Sequence, residues 1–310
     1  MEFYGEEGSA AELKGTTLVV PAISIGNVGQ LAIDLIITGL DLKRIGFLEE
    51  PNVLPCAGND AVGLTSEGIM STSLEVFQSS SGSITIVQQR APYAPGRLKA
   101  YAQNLSEWVK RSGFQKVVVL SGLDAGKQLA GHSLPQQRVR YTAATAAVSQ
   151  DERATSAETG PGSVGLERKC EELGWPILED LAPSEGPNGH GQEETSSSNG
   201  TSYGSMFGIE GSGATGLERG QWWGPGKAYQ RTAFWKMSEA LKEQGVSVLS
   251  LLLLCSEGDN VPDGLALATA LDSLLGLRGD QKPGNGPSGW DIPSSWASIY
   301  GPPPDTSLFG

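Results

Sequence analysis

The segment TTLVVPAISIGNVGQLAIDLIITGL, residues 16–40, decides the fold. Its first part, Thr16–Ala22, is β-branched and apolar without alternation, which predicts a short buried strand. Gly26 and Gly29 can both take positive φ and therefore predict a turn. The apolar residues of Gln30–Leu40 then favour one wide helical face that ends near a glycine. A strand that runs through a glycine turn into a helix is the opening half of a βαβ unit.

Strand and helix patterns recur along the chain. Strands are predicted at Arg44–Leu48, Ser73–Gln78, Gly82–Gln89, Lys116–Ser121, Val139–Thr142 and Val246–Cys255, and helices at Pro95–Arg111, Gly165–Leu173, Tyr229–Gln244 and Val261–Leu277. Ser73–Gln78 alternates, and a Ser/Gly turn joins it to the next strand, which predicts a β-hairpin. The recurrence predicts a single α/β domain over residues 1–310, with a mainly parallel sheet flanked by helices.

Two segments depart from this pattern. Residues 182–220 shift to Gly, Ser, Glu, Asn and Pro, a composition that cannot bury enough apolar surface to offset its ordering entropy. We interpret 182–220 as a low-complexity, disordered insertion inside one domain, because the α/β pattern resumes after it. The alternative is a linker between two domains. Residues 290–310, which include a Gly-Pro-Pro-Pro run, are predicted to form an extended C-terminal tail.

Composition restricts the class of protein. The net charge of −13 argues against a sequence-independent grip on nucleic acid, which needs a basic footprint. Three widely spaced cysteines, Cys56, Cys170 and Cys255, predict reduced thiols in the cytosol or nucleus. The first residues carry no basic or long apolar stretch, so secretion is not expected. The longest apolar run, Val246–Cys255, is about half of a membrane span. We expect a soluble intracellular protein.

Two turns are candidate small-molecule sites. Gly26–Gly29 does not complete the dinucleotide pattern G-x-G-x-x-G, because residue 28 is Val, so we favour a turn that needs glycine for geometry alone. Ser256–Asn260 is a carboxylate-bearing cluster at a strand end, the usual place for α/β active sites. Its other interpretation is a polar turn that caps the next helix. Gly122–Lys127 resembles a phosphate-binding loop only superficially and predicts a surface loop.

The sequence gives little support for a catalytic nucleophile or for a metal site. The two histidines, His132 and His190, lie beside glycines in polar stretches, and the chain has no G-x-S-x-G elbow. Cysteine and histidine pairs at metal-ligand spacing are also absent from the sequence. We therefore predict no catalytic, cofactor-binding or metal-binding residue.

Aromatic residues in the Gly/Pro-rich and terminal segments are predicted to be exposed. They are Trp222, Trp223, Trp290, Trp296, Tyr300 and Phe309. Such residues either pin a tail to the domain's own surface or act as anchors at an interface. The last three residues, Leu308, Phe309 and Gly310, place a hydrophobic and an aromatic side chain before a free carboxylate. This arrangement suits insertion into a pocket with apolar walls and a cationic partner.

Three separated stretches carry a family resemblance. Leu18–Leu35, Ser256–Asp263 and Trp290–Trp296 resemble the proteasome assembly chaperone 2 family. The resemblance implies a non-enzymatic chaperone without a cofactor, with a fold similar to that of nucleoside phosphorylases. It also implies a heterodimer with proteasome assembly chaperone 1, in the cytoplasm and nucleus. That pair binds proteasome α-subunits, promotes α-ring formation and prevents wrong α-ring pairing.

The resemblance extends to the C-terminus. Leu308, Phe309 and Gly310 match the family's hydrophobic–Tyr–any residue motif, with Phe in place of Tyr, and are expected to dock on the proteasome α-ring. Because one surface would belong to a heterodimer, the chain is expected to be poorly soluble alone. The rival from another class is a nucleoside phosphorylase- or hydrolase-like enzyme that acts on a small molecule. A third alternative is a general scaffold with a disordered acidic loop.

Overall fold

A computed structural model describes residues 1–8, 12–62, 69–128, 137–144, 162–178, 229–279, 284 and 286–298. The predicted insertion at 182–220 and residues 299–310 of the predicted tail lie outside these ranges.

The described residues alternate between strands and helices along most of their length. The strands are β1 Glu2–Gly5, β2 Thr17–Pro21, β3 Lys43–Glu49, β4 Ala57–Asn59, β5 Met70–Thr72, β6 Leu74–Gln78, β7 Ile84–Gln89, β8 Lys116–Asp124, β9 Val139–Ala144 and β10 Val248–Cys255. The α-helices are α1 Val28–Gly39, α2 Leu98–Ser112, α3 Ala125–Gln128, α4 Gly162–Glu172, α5 Ala233–Glu243 and α6 Val261–Leu275. Within these ranges, every helix is too short or too polar to span a bilayer.

Eight strands form one mixed sheet in the order β1-β3-β6-β7-β2-β8-β10-β9. The four central strands, β7, β2, β8 and β10, are parallel to one another. The strands outside this group pair antiparallel on both sides. The predicted β6–β7 hairpin is confirmed, and β4 and β5 form a separate two-stranded sheet. The α/β prediction is therefore confirmed, with the parallel pairing confined to the centre of the sheet.

The central strands are buried on both faces, and this explains their continuous apolar sequences. Along β10, Leu249, Leu251 and Leu253 point into a cluster that contains residues of α1, α4 and α6. The alternate residues Leu252 and Leu254 point into a second cluster with α2 and α5. Because side chains alternate across a strand, each helical layer covers one set. The molecule is thus a three-layer arrangement with the sheet in the middle.

The opening βαβ segment folds as its sequence predicts, with one difference at the turn. Gly26 has φ of 62° and Asn27 has φ of 48°, so a glycine and an asparagine supply the left-handed conformations. Gly29 instead lies within α1, which begins at Val28. A Cβ atom at Gly29 would lie 2.9 Å from the carbonyl oxygen of Leu120. Gly29 is therefore needed for the close packing of α1 on β8.

Several element boundaries differ from expectation. The helix predicted from Tyr229 begins at Ala233. The predicted surface loop Gly122–Lys127 is wrong, because β8 continues to Asp124 and α3 follows directly. Gly122 therefore lies within β8, and its amide donates to Ser24 Oγ at 2.8 Å.

We predict that Gly29→Ala lowers the free energy of unfolding by about 1–3 kcal/mol, because the added methyl group must displace α1 from β8. Gly165→Ala is the matched control, since Gly165 is an exposed residue within α4 with open space around it. It should raise stability by up to about 1 kcal/mol through helix propensity. Urea denaturation followed by circular dichroism measures both. Equal stabilities of the two variants would contradict the close-packing role of Gly29.

Candidate functional site

The structure brings the two predicted small-molecule turns together. The β2–α1 turn and the loop after β10 meet at the carboxyl edge of the parallel strands, where Gly26 faces the side chain of Asn260. Ser24 and Gly122 join the same edge through their hydrogen bond. This edge is where α/β proteins commonly bind ligands.

Asn260 occupies the space in front of the β2–α1 turn. A Cβ atom at Gly26 would collide with the Asn260 amide group. Asn260 Nδ2 donates to the carbonyl oxygen of Ser256 and to Asp263 Oδ2, both at 2.8 Å. The other oxygen of Asp263 forms an ion pair with Arg138. The amide of Asn260 and the carboxylate of Asp263 are thus engaged with the chain's own residues, which favours a turn that packs.

The two buried cysteines are not activated thiols. Burial, reinforced by Glu167, raises the pKa of Cys170 to about 12. Burial, reinforced by Asp263, raises the pKa of Cys255 to about 12 as well. Because the thiolate is the nucleophilic form, both groups remain unreactive thiols at neutral pH. Cys56 differs, since it is exposed.

The structure does not describe the two histidines, and it describes only part of the residues that could bind a metal. His132 and His190 lie outside the described residues. Within the described ranges, His, Cys, Asp and Glu side chains do not form a group of three or more suited to holding a metal ion.

We predict that one thiol per chain, that of Cys56, reacts rapidly with a chromogenic disulfide reagent at neutral pH in the folded protein. In concentrated urea all three cysteines should react. Cys56→Ser serves as the control and should abolish the fast native reaction. Rapid native labelling of Cys170 or Cys255 would show that these thiols are not held in the core.

The described part of the predicted tail packs onto the domain. We call residues 286–298 the strap. Trp290 is fully buried, and its Nε1 donates to Thr269 Oγ1 of α6 at 3.1 Å. The Arg278 guanidinium lies 4.4 Å from the centre of the Trp290 ring, and Gly39 at the end of α1 leaves room for the opposite part of that ring. The expectation that Trp290 is exposed is therefore wrong.

The end of the strap is anchored in the same way. Trp296 is buried, again against expectation, and Ser295 Oγ donates to the carbonyl oxygen of Ala61. Both tryptophans thus pin the chain to its own domain. The predicted docking residues Leu308, Phe309 and Gly310, together with the aromatic residues predicted at 222, 223 and 300, lie outside the described residues.

A network of charged side chains beside α1 is not predicted by the sequence patterns. Arg90 Nη2 contacts Asp34 Oδ1 of α1 at 3.0 Å, and Arg90 Nε contacts Glu75 Oε2 at 2.8 Å. Arg44 Nη1 reaches the other oxygen of Glu75 at 3.0 Å. Gln88 Nε2 donates to Asp34 at 2.7 Å. Glu75, only 1% exposed, therefore joins Arg44 of β3 to Arg90, which directly follows β7 and contacts the helix.

Arg90 keeps its charge despite burial. Desolvation alone would lower the pKa of Arg90, but the pairs with Asp34 and Glu75 raise it above its ordinary value. The signal that could have found the network is the coincidence of Asp, Glu and Arg at inward positions of predicted neighbouring elements.

We predict that Glu75→Gln destabilises the protein by about 1–3 kcal/mol, because two largely buried guanidinium groups each lose one of their two carboxylate partners. Glu172→Gln removes an exposed partner of Arg168 and should change stability by less than about 1 kcal/mol. Thermal denaturation of both variants measures the difference. Similar melting temperatures for the two would mean that the Glu75 network is not a structural requirement.

Together these features define a three-layer α/β protein whose parallel strands end against the chain's own side chains. The profile of the PAC2 family matches residues 18–178. Proteasome assembly chaperone 2 of Danio rerio is 29% identical over 301 residues, covering 96% of this chain and 96% of the relative. Proteasome assembly chaperone 2 of Nematostella vectensis is 31% identical over 268 residues, covering 85% and 91%. The chain belongs to the PAC2 family, and the resemblance seen in its sequence is confirmed.

The fold has a solved counterpart. PbaA of Pyrococcus furiosus, an archaeal homolog of proteasome-assembly chaperone, aligns with a TM-score of 0.51 at 15% identity, covering 86% of this chain and 83% of PbaA. At this identity the likeness concerns the α/β architecture alone.

Proposed function

We propose that this chain is a chaperone for assembly of the 20S proteasome core. The observation that carries the proposal is similarity along nearly the whole chain to relatives named proteasome assembly chaperone 2. In this role the chain acts by differential binding, favouring correctly arranged subunits. It performs no catalytic step and needs no cofactor. The side chain of Asn260 in front of the β2–α1 turn supports a packing role for that edge.

The finer proposal concerns partners and place. The chain forms a heterodimer with proteasome assembly chaperone 1, binds proteasome α-subunits, promotes α-ring formation and prevents wrong α-ring pairing. It works in the cytoplasm and nucleus as one domain over residues 1–310, with a disordered insertion at 182–220 and a tail at 290–310. Its fold resembles that of nucleoside phosphorylases. The carboxyl edge of its parallel strands, where α/β enzymes bind ligands, instead packs against the chain's own residues.

Affinity purification followed by mass spectrometry tests this function. The tagged chain should recover proteasome assembly chaperone 1 and α-subunits without the mature proteolytic core. A thermal-shift screen with phosphate and nucleosides tests the rival enzyme. Stabilisation by a nucleoside, without recovery of α-subunits, would overturn the chaperone proposal.

The C-terminal residues are proposed to dock on the α-ring. Leu308 and Phe309 supply the apolar anchor, and the carboxylate of Gly310 pairs with a cation in the pocket. The strap supports this proposal, because it holds the described part of the tail, residues 290–298, against the domain.

We predict that deleting residues 308–310 reduces recovery of α-subunits about tenfold, a loss of ~1.4 kcal/mol. Phe309→Tyr should strengthen recovery about fivefold if its hydroxyl gains one hydrogen bond of ~1 kcal/mol. Ser307→Ala is the control and should leave recovery unchanged. Quantitative mass spectrometry gives the ratios, and a thermal melt verifies that the domain is folded. Equal recovery by the shortened chain would remove the tail from the proposed mechanism.

A further inference from the structure

Three opposed side chains cross the antiparallel part of the sheet on the face that carries α1. Tyr4 of β1 is directly opposite Phe47 of β3, and Phe47 is directly opposite Glu75 of β6. Directly opposite residues share a face of the sheet. Because Glu75 connects through Arg90 to Asp34 of α1, this is the α1 face. We call these three residues the Tyr4 row.

Burial falls steadily along the Tyr4 row. Helix α1 packs on β7, β2 and β8, and its cover reaches Glu75, which is 1% exposed. Phe47 is half-buried, and Tyr4 is 56% exposed at the edge strand. Met70 of β5 lies nearby, since its carbonyl oxygen accepts from Arg44, and Met70 is 59% exposed. The sheet thus extends past its helical layer and presents aromatic and thioether side chains.

Arg44 organises this exposed surface. Its guanidinium lies 4.6 Å from the centre of the Phe47 ring, where it also pairs with Glu75 and Glu6. A guanidinium stacked on an aromatic ring is held in a fixed orientation. Tyr, Phe, Met and Arg are the residue types enriched in protein interfaces. Pre-ordering of Arg44 reduces the entropy that binding would cost.

The border of the row is acidic. The nearby carboxylate of Glu49, reinforced by that of Glu2, raises the pKa of Tyr4, and a third carboxylate, that of Glu6, lies two residues farther along the chain. Two guanidinium groups offset them, Arg111 at Glu2 and Arg44 at Glu6, and Arg44 is also shared with Glu75. The surface therefore keeps a negative balance that matches the chain's net charge of −13.

This balance disfavours a second copy as the occupant. A symmetric dimer would place Glu2 and Glu49 of both copies in one interface. Like charges set against each other in an interface cost several kcal/mol, on the order of a thousandfold in affinity. A non-identical chain can present lysine or arginine instead and gain steering from the opposite charge.

We propose that the Tyr4 row, with Met70 and Arg44, binds a different protein chain that presents apolar side chains bordered by lysine or arginine. This inference rests on the proposed heterodimer, in which that chain is the paralogous assembly chaperone. It assigns the heterodimer to the exposed end of the described sheet, away from the carboxyl edge.

Binding of the purified paralogous chaperone from the same organism tests the assignment. Tyr4→Ser and Met70→Ser should each weaken affinity about 10–100-fold, because both truncate exposed anchors. Ile177→Ser is the matched control, since Ile177 is 54% exposed and lies beyond β9 at the opposite edge of the sheet. It should leave affinity unchanged. Glu49→Lys should slow association about tenfold at low salt, and the difference should shrink at high salt.

A photoreactive phenylalanine analogue placed at Tyr4 provides a measurement that does not depend on truncation. It should cross-link to the paralogous chaperone next to basic residues of that chain. Cross-links to a second copy, to an α-subunit or to residues 299–310 of the same chain would each overturn the assignment. If the unmodified chain fails to bind the paralogous chaperone, the proposed heterodimer itself is wrong. If it binds and the Tyr4 and Met70 variants bind equally well, only the location is wrong.

Discussion

Burial of the central parallel strands on both faces is the constraint on which the rest of the structure depends. Strands β8 and β10 expose no face to water within the described sheet, so each face must be covered by helices. Helix α1 meets this requirement only because Gly29 lets it approach the carbonyl oxygen of Leu120. The same closeness brings the β2–α1 turn against Asn260. The packing of α1 on the core and the contact that fills the carboxyl edge therefore both depend on the close approach of α1 to β8.

Local patterns explain why much of the fold is readable from the sequence. Thr16–Leu40 carries a strand, a turn and a helix in neighbouring residues, and each is specified by nearby periodicity and glycine placement. The β6–β7 hairpin is likewise local. The sequence does not show which distant strands become neighbours, so the antiparallel pairs β1–β3, β3–β6 and β9–β10 are not predicted.

Long-range contacts account for the remaining differences. Trp290 sits in a Gly/Pro-rich stretch that predicts exposure, but Thr269, Arg278 and Gly39 together form its pocket. Glu75 lies in an alternating strand, and its two partners are distant in the sequence. They are Arg44 of β3 and Arg90, which directly follows β7. The candidate site shows the same limit. The sequence places Gly26 and Asn260 in two separate turns. Only their contact in the fold shows that the Asn260 side chain fills the space in front of Gly26.

The strap sets a geometric limit on anything its end can touch. Ser294 and Ser295 donate to the carbonyl oxygens of Val62 and Ala61, the last described residue is 298, and twelve residues follow it up to Gly310. A fully extended chain advances at most about 3.6 Å per residue, so this tether can reach roughly 40 Å from its anchor. The proposed docking residues 308–310 would therefore act within that radius, at an effective concentration on the order of millimolar. A short tether of this kind favours a receptor pocket beside the domain's own footprint over an identical pocket farther away.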